Sequence, residues 1–300
     1  MKDCAPIAIF TFKRLHYLKI LISSLKSNAL SKHSVIFIFS DGWKNDFEKK
    51  HVLNVRKYIA KISGFKKVFL ILRPYNFGLS KNIIDGISYV LKKNKKIIVL
   101  EEDLELSKYF LNFINEGLKI YENEKKVASI NGWFFPVDYN KNIPQNFFIR
   151  GADCWGWGTW KRAWIKFNPN GKKLFNQIKK RNLSTLFNFN NSFNYMKMLQ
   201  DQINQKNQSW AIRWYASIFL IKMYTLYPKN PLVRNIGTKN GVNSRFDFLN
   251  LGHKFKNTRY APVYFKKIEE DIIARKQIEL FFKKNFIYRI KEYFKNIFND

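Results

Sequence analysis

Between Pro6 and Gly132 short, continuously apolar runs alternate with amphipathic stretches, and this rhythm restricts the fold more than any other feature of the chain. PIAIFTF (6–12), VIFIFSD (35–41), KVFLILRP (67–74), IIVL (97–100) and VASING (127–132) read as strands that are apolar on both faces. RLHYLKILISSLKSN (14–28) sets Leu15, Leu18, Leu21, Ile22 and Leu25 at helical spacing. Further helices are expected near 46–62, 80–93 and 107–122, the last with Ser107 as its N-cap. Strands without a polar face must be covered twice, so the pattern predicts an α/β fold: a mostly parallel, Rossmann-like sheet with helices on both sides. In such sheets ligands gather beyond the carboxyl ends of the strands. Phe12–Arg14, Asp41–Trp43, Arg73–Asn82 and Glu101–Asp103 all fall on that rim.

One rim segment runs against the composition. The chain carries 54 Lys and Arg against 22 Asp and Glu, a formal net charge of +32, yet Glu101, Glu102, Asp103 and Glu105 crowd one five-residue window. A basic excess draws a protein toward polyanions, but Lys, Asn, Ile and Phe are all abundant here, so that excess alone says little. The acids have three readings: charges favoured at a helix N-terminus, a general acid/base pair, or oxygen ligands for a hard divalent cation. Arg14, Arg73 and Lys81 share the rim and are the cations a diphosphate requires, which favours the last reading. Cys4 and Cys154 make neither a disulfide framework nor a metal spacing, so a reducing, cytoplasmic setting is expected. No apolar run reaches the roughly 18–20 residues that span a bilayer, and MKDCAPIAIFTF reads as a first strand and not as a signal peptide.

VLEEDLELSKYFLNF resembles the metal-binding segment of GT-A glycosyltransferases, above all the Golgi N-acetylglucosaminyltransferase I family and its bacterial sugar-transferase relatives. There a hydrophobic strand ends in Glu-Asp-Asp, followed by Leu-Glu and a Phe-rich helix. The resemblance runs in matching order over residues 6–132. It implies Asp103 as ligand of Mn²⁺ or Mg²⁺, with Glu102 in place of the family's middle Asp. It further implies Arg14 on the donor phosphates, Asp41 of the SDG turn on the nucleotide base, and Lys81 of NFGLSKN facing the donor. The expected activity is sugar transfer, of hexosyl or N-acetylhexosaminyl type, from a nucleoside diphosphate donor, expected to be a UDP-sugar. The acceptor would be a surface-glycan or lipid-linked saccharide, with inversion as the default.

From about residue 132 the composition shifts to aromatics and Asn, giving expected divisions at 1–132, 133–265 and 266–300. GADCWGWGTWKRAW (151–164) holds four tryptophans in ten residues. Any single Trp is most often core, but WGWG-type segments line the acceptor side in several GT-A enzymes, which implies Trp155 or Trp157 against a sugar. An inverting transferase requires a carboxylate base. The family's Trp-Asp-Asp-Trp run corresponds here to SWAIRW (209–214), which has no acid, so Asp153 and Asp201 are the candidates. YPKNPLVRNIGTKNGVNSR resembles a loop near the donor phosphates, implying Arg234 as a contact, with Asn243 and Ser244 where relatives often carry a His. IELFFKKNFIYRIKEYFKNIF (278–298) lines up Phe282, Phe286, Ile290, Phe294 and Ile297 among lysines and arginines, a basic amphipathic helix that binds an anionic membrane or packs internally. Competing functions are nucleic-acid binding, nucleotidyl transfer from a triphosphate, and an inactive transferase fold.

Overall fold

A computed structural model describes residues 4–137, 142–237, 255 and 261–298, with side chains as far as Asn285. The first half runs β1 (Ile7–Thr11), α1 (Leu15–Lys26), β2 (Val35–Ser40), α2 (Asp46–Ile59), β3 (Lys67–Leu72), α3 (Leu79–Lys93), β4 (Lys96–Glu101), β5 (Leu104–Leu106), α4 (Phe110–Ile120) and β6 (Val127–Asn131). The second runs β7 (Asn146–Arg150), β8 (Trp157–Trp160), α5 (Lys161–Trp164), α6 (Gly171–Lys180), α7 (Ser184–Phe187), α8 (Tyr195–Ile203), α9 (Trp210–Leu220), β9 (Tyr224–Pro228), β10 (Val233–Asn235) and α10 (Ile272–Phe298).

Eight strands form one sheet in the order β3-β2-β1-β4-β8-β6-β9-β7. The first four are parallel, while β8 lies antiparallel between β4 and β6. This is the largely parallel α/β sheet, flanked by helices, that the apolar runs predict. β1 shows why its sequence reads as it does: Ile7 and Ile9 pack into one core with Leu18, Leu21 and Leu25 of α1, whereas Ala8 and Phe10 pack into the other with Ile83, Ile87 and Val90 of α3. Both faces are dry, so alternation is lost. The chain builds outward from β1 through β2 to β3, then returns to place β4 on the other side of β1. Strand order reverses at that point, the place beyond the strand ends where open α/β sheets bind their ligands.

One expectation is corrected. Ser107 is not the N-cap of α4: its N–H still bonds the Leu232 carbonyl as part of a strand pairing, and the helix begins at Phe110. After residue 132, β7, β8 and β9 extend the same sheet. The start of α10 packs internally, with Ala274, Ile278 and Phe282 buried and the Phe282 ring 4.7 Å from Phe193. Phe286, Ile290, Phe294 and Ile297 lie beyond the described side chains. Among the described residues no helix is long and apolar enough to cross a membrane.

Candidate functional site

Where β4 ends, its acids meet the turn that follows β1. The Glu102 carboxylate, 5% exposed, accepts hydrogen bonds from Thr11 Oγ1 (2.6 Å), the Phe12 N–H (2.8 Å) and Arg14 Nε (2.7 Å). The same guanidinium reaches Asp103, with Nη2 at 2.8 Å from Oδ2. Burial opposes a charge on Arg14, yet the Asp103 and Glu102 carboxylates more than offset this and raise its pKa. Desolvation pushes Asp103 upward despite Arg14. The Glu101 carboxylate accepts no hydrogen bond from the described residues; burial, reinforced by the Asp103 charge, carries its pKa to about 8.

A two-stranded ribbon straps this corner. β10 pairs antiparallel with β5, setting Arg234 opposite Glu105, and the two side chains form an ion pair. Arg234 therefore serves the ribbon. The Ile236 N–H then bonds the Asp103 carbonyl at 2.8 Å. At Gly237 a Cβ would lie 2.6 Å from Asp103 Oδ2 and 2.8 Å from Arg14 Nη1, so only glycine lets the backbone pass so close. Asn243 and Ser244 fall outside the described residues.

On the other side of β1, the Asp41 N–H bonds the Thr11 carbonyl at 2.9 Å, and Thr11 also holds Glu102. The Asp41 and Asp103 corners thus share one continuous rim. The expected base contact from Asp41 is corrected by its geometry. Oδ1 accepts the Gly42 and Phe77 N–H groups at 2.9 and 2.7 Å, and Oδ2 accepts Asn76 Nδ2 and the Gly78 N–H at 3.2 and 3.0 Å. Both oxygens are saturated and the residue is 4% exposed. Asp41 instead pins the loop that launches α3. A Cβ on Gly42 would meet the Tyr75 carbonyl carbon at 2.3 Å. Gly42→Ala is accordingly expected to lower stability by roughly 1–3 kcal/mol, read as a fall in Tm by calorimetry.

Lys81 sits in the first turn of α3 with Nζ 4.7 Å from the Phe77 ring centroid, while Arg73 is ion-paired to Asp85 and bonds Asn82. The two halves of the chain meet here: Arg213 Nη2 of α9 donates to Ser80 Oγ at 2.5 Å. SWAIRW therefore meets NFGLSKN through a contact spanning 133 residues, which no local pattern foretells.

The aromatic half contributes a pocket of about 140 Å³ whose walls include Trp133, Trp155, Tyr195, Tyr227 and Phe282. Asp153 lines it and accepts a hydrogen bond from Tyr227 Oη at 2.8 Å. Desolvation lifts this carboxyl to about 6, with the tyrosine pulling modestly the other way. Cys154, also on the wall, is pushed well above its usual pKa by burial and by the charges of Glu101, Asp153 and Asp103. β8 pairs Trp157 with Val99, which brings Cys154 and Trp155 on the pocket wall alongside the end of β4. Asp201 lies apart, ion-paired to Lys197 one turn earlier on α8 and absent from the pocket wall. Trp157 is corrected to a core residue: wholly buried, it stacks 5.8 Å from Trp210 and 5.7 Å from Trp214. Trp155 is the tryptophan of that pair that faces the pocket.

No protein-family model matches the chain, and no curated protein matches it. Among solved structures, residues 1–349 of S. aureus TarS match at 14% identity and a TM-score of 0.29, over 42% of this chain and 34% of that one. The Pyrobaculum calidifontis mannosyltransferase PcManGT, solved with GDP-Man and Mn²⁺, matches at 10% identity and a TM-score of 0.31, over 46% and 40%. A longer TarS structure matches at 14% and 0.31, over 49% and 24%. The chain thus spans less than half the length of each.

Among the described residues no three His, Cys, Asp or Glu side chains form a ready-made metal cage. The donor set nevertheless suits a hard cation. Asp103 and Glu101 are desolvated carboxylates, and the Asp103 charge adds to the cost of ionising Glu101; Mg²⁺-type sites use one or two carboxylates completed by substrate phosphates. In the sequence Glu101 stands out only as one of the clustered acids, without a role of its own, and Tyr227 carries no signal at all. The raised pKa of the first depends on its burial, and the second is 74 residues from the Asp153 it holds.

Proposed function

We propose that the chain transfers a sugar from a nucleoside diphosphate to an acceptor hydroxyl at the carboxyl ends of β1 and β4. One observation carries this reading: acids, a guanidinium and an aromatic pocket with an elevated carboxyl converge on the rim where the strand order reverses. Mn²⁺ or Mg²⁺ bound at Asp103, with Glu101 beside it, would offset charge on the departing diphosphate. Glu102 fixes Arg14 and the end of β1, so that the guanidinium faces the phosphates. Lys81, near the N-terminus of α3, adds positive charge on the Asp41 side of the rim, where helix N–H groups favour anions. Asp41 acts indirectly, by holding the 76–78 loop. Trp155 offers an indole face to the acceptor sugar.

Asp153 is the proposed base. With a pKa near 6 it is ionised at neutral pH yet basic enough to take a hydroxyl proton, which is where general-base catalysis works best. Tyr227 keeps one oxygen in place. A UDP-sugar donor, a glycan acceptor, inversion, and contact of the terminal helix with an anionic membrane are parts of the same proposal; that contact would fall to the stretch beyond Phe282.

The test is nucleotide-dependent stabilisation. UDP or a UDP-sugar with Mn²⁺ is expected to raise Tm by several degrees, as ligand at about 100 times Kd stabilises by ~2.7 kcal/mol. GDP, TDP and nucleoside triphosphates form the comparison set. A response confined to triphosphates would move the protein to nucleotidyl transfer, and no response to any nucleotide with either cation would remove the proposal.

A further inference from the structure

We infer that Arg14 is a built-in counter-ion that holds the acid corner closed to a free divalent cation and yields it only to a cation arriving with a diphosphate. The inference rests on the donor-site reading above and adds an order and a coupling to it.

The geometry makes Arg14 and a cation competitors. Arg14 Nη2 already occupies Asp103 Oδ2 at 2.8 Å. The backbone at Gly237 crosses so near that even a methyl group would sit 2.6 Å from that oxygen. A cation that takes Oδ2 therefore competes with the guanidinium already bonded to it. Electrostatics points the same way, since a divalent ion beside an immobile, partly buried guanidinium is repelled strongly at low effective dielectric.

The two grips of Arg14 are unequal, and this gives it somewhere to pivot. Glu102 keeps Thr11 Oγ1 and the Phe12 N–H whether or not Arg14 is present. Asp103 Oδ2 has Arg14 as its one side-chain partner among the described residues. Letting go of Asp103 while staying on Glu102 leaves a single carboxylate oxygen without a donor, and that oxygen is where the incoming cation binds. The released Nη2 then needs an acceptor, and a diphosphate oxygen is the one that matches a guanidinium fork. A cation alone provides no such acceptor, so Arg14 stays. Cation and diphosphate together satisfy both partners. Binding of the two is therefore cooperative, and by linkage each strengthens the other equally.

One substitution is expected to move two affinities in opposite directions. Free Mn²⁺ is titrated by electron paramagnetic resonance against the full-length protein with and without UDP. In the wild type UDP is expected to tighten Mn²⁺ binding by about tenfold or more. Arg14→Gln is expected to bind Mn²⁺ alone about tenfold more tightly than the wild type, to bind UDP with Mn²⁺ more weakly, and to lose most of the coupling. Arg14→Lys retains the charge and is expected to keep weak binding of Mn²⁺ alone, which separates counter-charge from loss of packing. If Arg14→Gln, folded by circular dichroism, binds Mn²⁺ alone no better than the wild type, the inference is overturned while the donor site survives. If no variant binds Mn²⁺ even with UDP present, the donor-site reading falls with it.

Discussion

An Asp103→Asn protein is expected to remain folded and to lose sugar transfer by on the order of 10³-fold, with its dependence on added Mn²⁺. The two effects separate because their magnitudes differ. A factor of 10³ in rate is about 4 kcal/mol of transition-state stabilisation. The structural loss is smaller, because a partly exposed ion pair contributes about 0–1 kcal/mol and Glu102 still holds Arg14. Burial already disfavours the charge on Asp103, as its raised pKa records. Removing that charge also relieves Glu101, which Asp103 and burial together hold at about 8. Tm is thus expected to stay level or rise while turnover collapses. Product formation at saturating Mn²⁺, alongside calorimetry, checks both. Metal-stimulated turnover at the wild-type rate would take Asp103 out of the site.

The corner around Asp103 was legible because the sheet that carries it was. Continuous apolar runs located β1, β2, β3, β4 and β6 to within a residue or two, since strands such as β1 that feed two cores have no reason to alternate; β3, at the sheet edge, is as apolar in sequence yet leaves Leu70 and Leu72 exposed, so it is not covered on both faces as its sequence predicts. The strap over Asp103 was not legible. Leu104–Leu106 is three residues long and becomes a strand through pairing with Val233–Asn235, far along the chain. That pairing also draws Ser107 away from the cap role its residue type suggests. In the aromatic half, WGWG does not say which indole faces outward. Trp157 joins β8 and turns into the core beside Trp210 and Trp214, while Trp155 precedes the strand and escapes its alternation. Asp41 misled for a related reason: a carboxylate before glycine on a rim invites a ligand, but three of the four donors that saturate it come from residues 76–78, brought there by the β2–β3 pairing.

Asp153→Asn is expected to reduce kcat by 10²–10⁴-fold, the usual contribution of a positioned base, and to make the protein more stable at neutral pH. The opposite signs follow from one fact, the rise of this carboxyl from 3.8 to about 6 on burial. Between these values the unfolded chain has released the proton and the folded chain retains it. Folding is thus favoured at the acid end, and stability declines as pH climbs through the window, levelling above about 6. The ionised form costs on the order of 2–3 kcal/mol at pH 7. Asparagine avoids that cost and still accepts from Tyr227, so the variant's Tm at pH 7 is expected to exceed the wild type's by several degrees. Activity has the reverse profile. Wild-type kcat/KM should fall about tenfold per pH unit below 6 as the base is protonated, and the variant's residual rate should lack that limb. Asp201→Asn serves as the internal comparison: bound to Lys197 outside the pocket, it should leave both the rate and the acid limb intact. An acid limb that disappears with Asp201 and persists without Asp153 would transfer the proton-accepting role to α8.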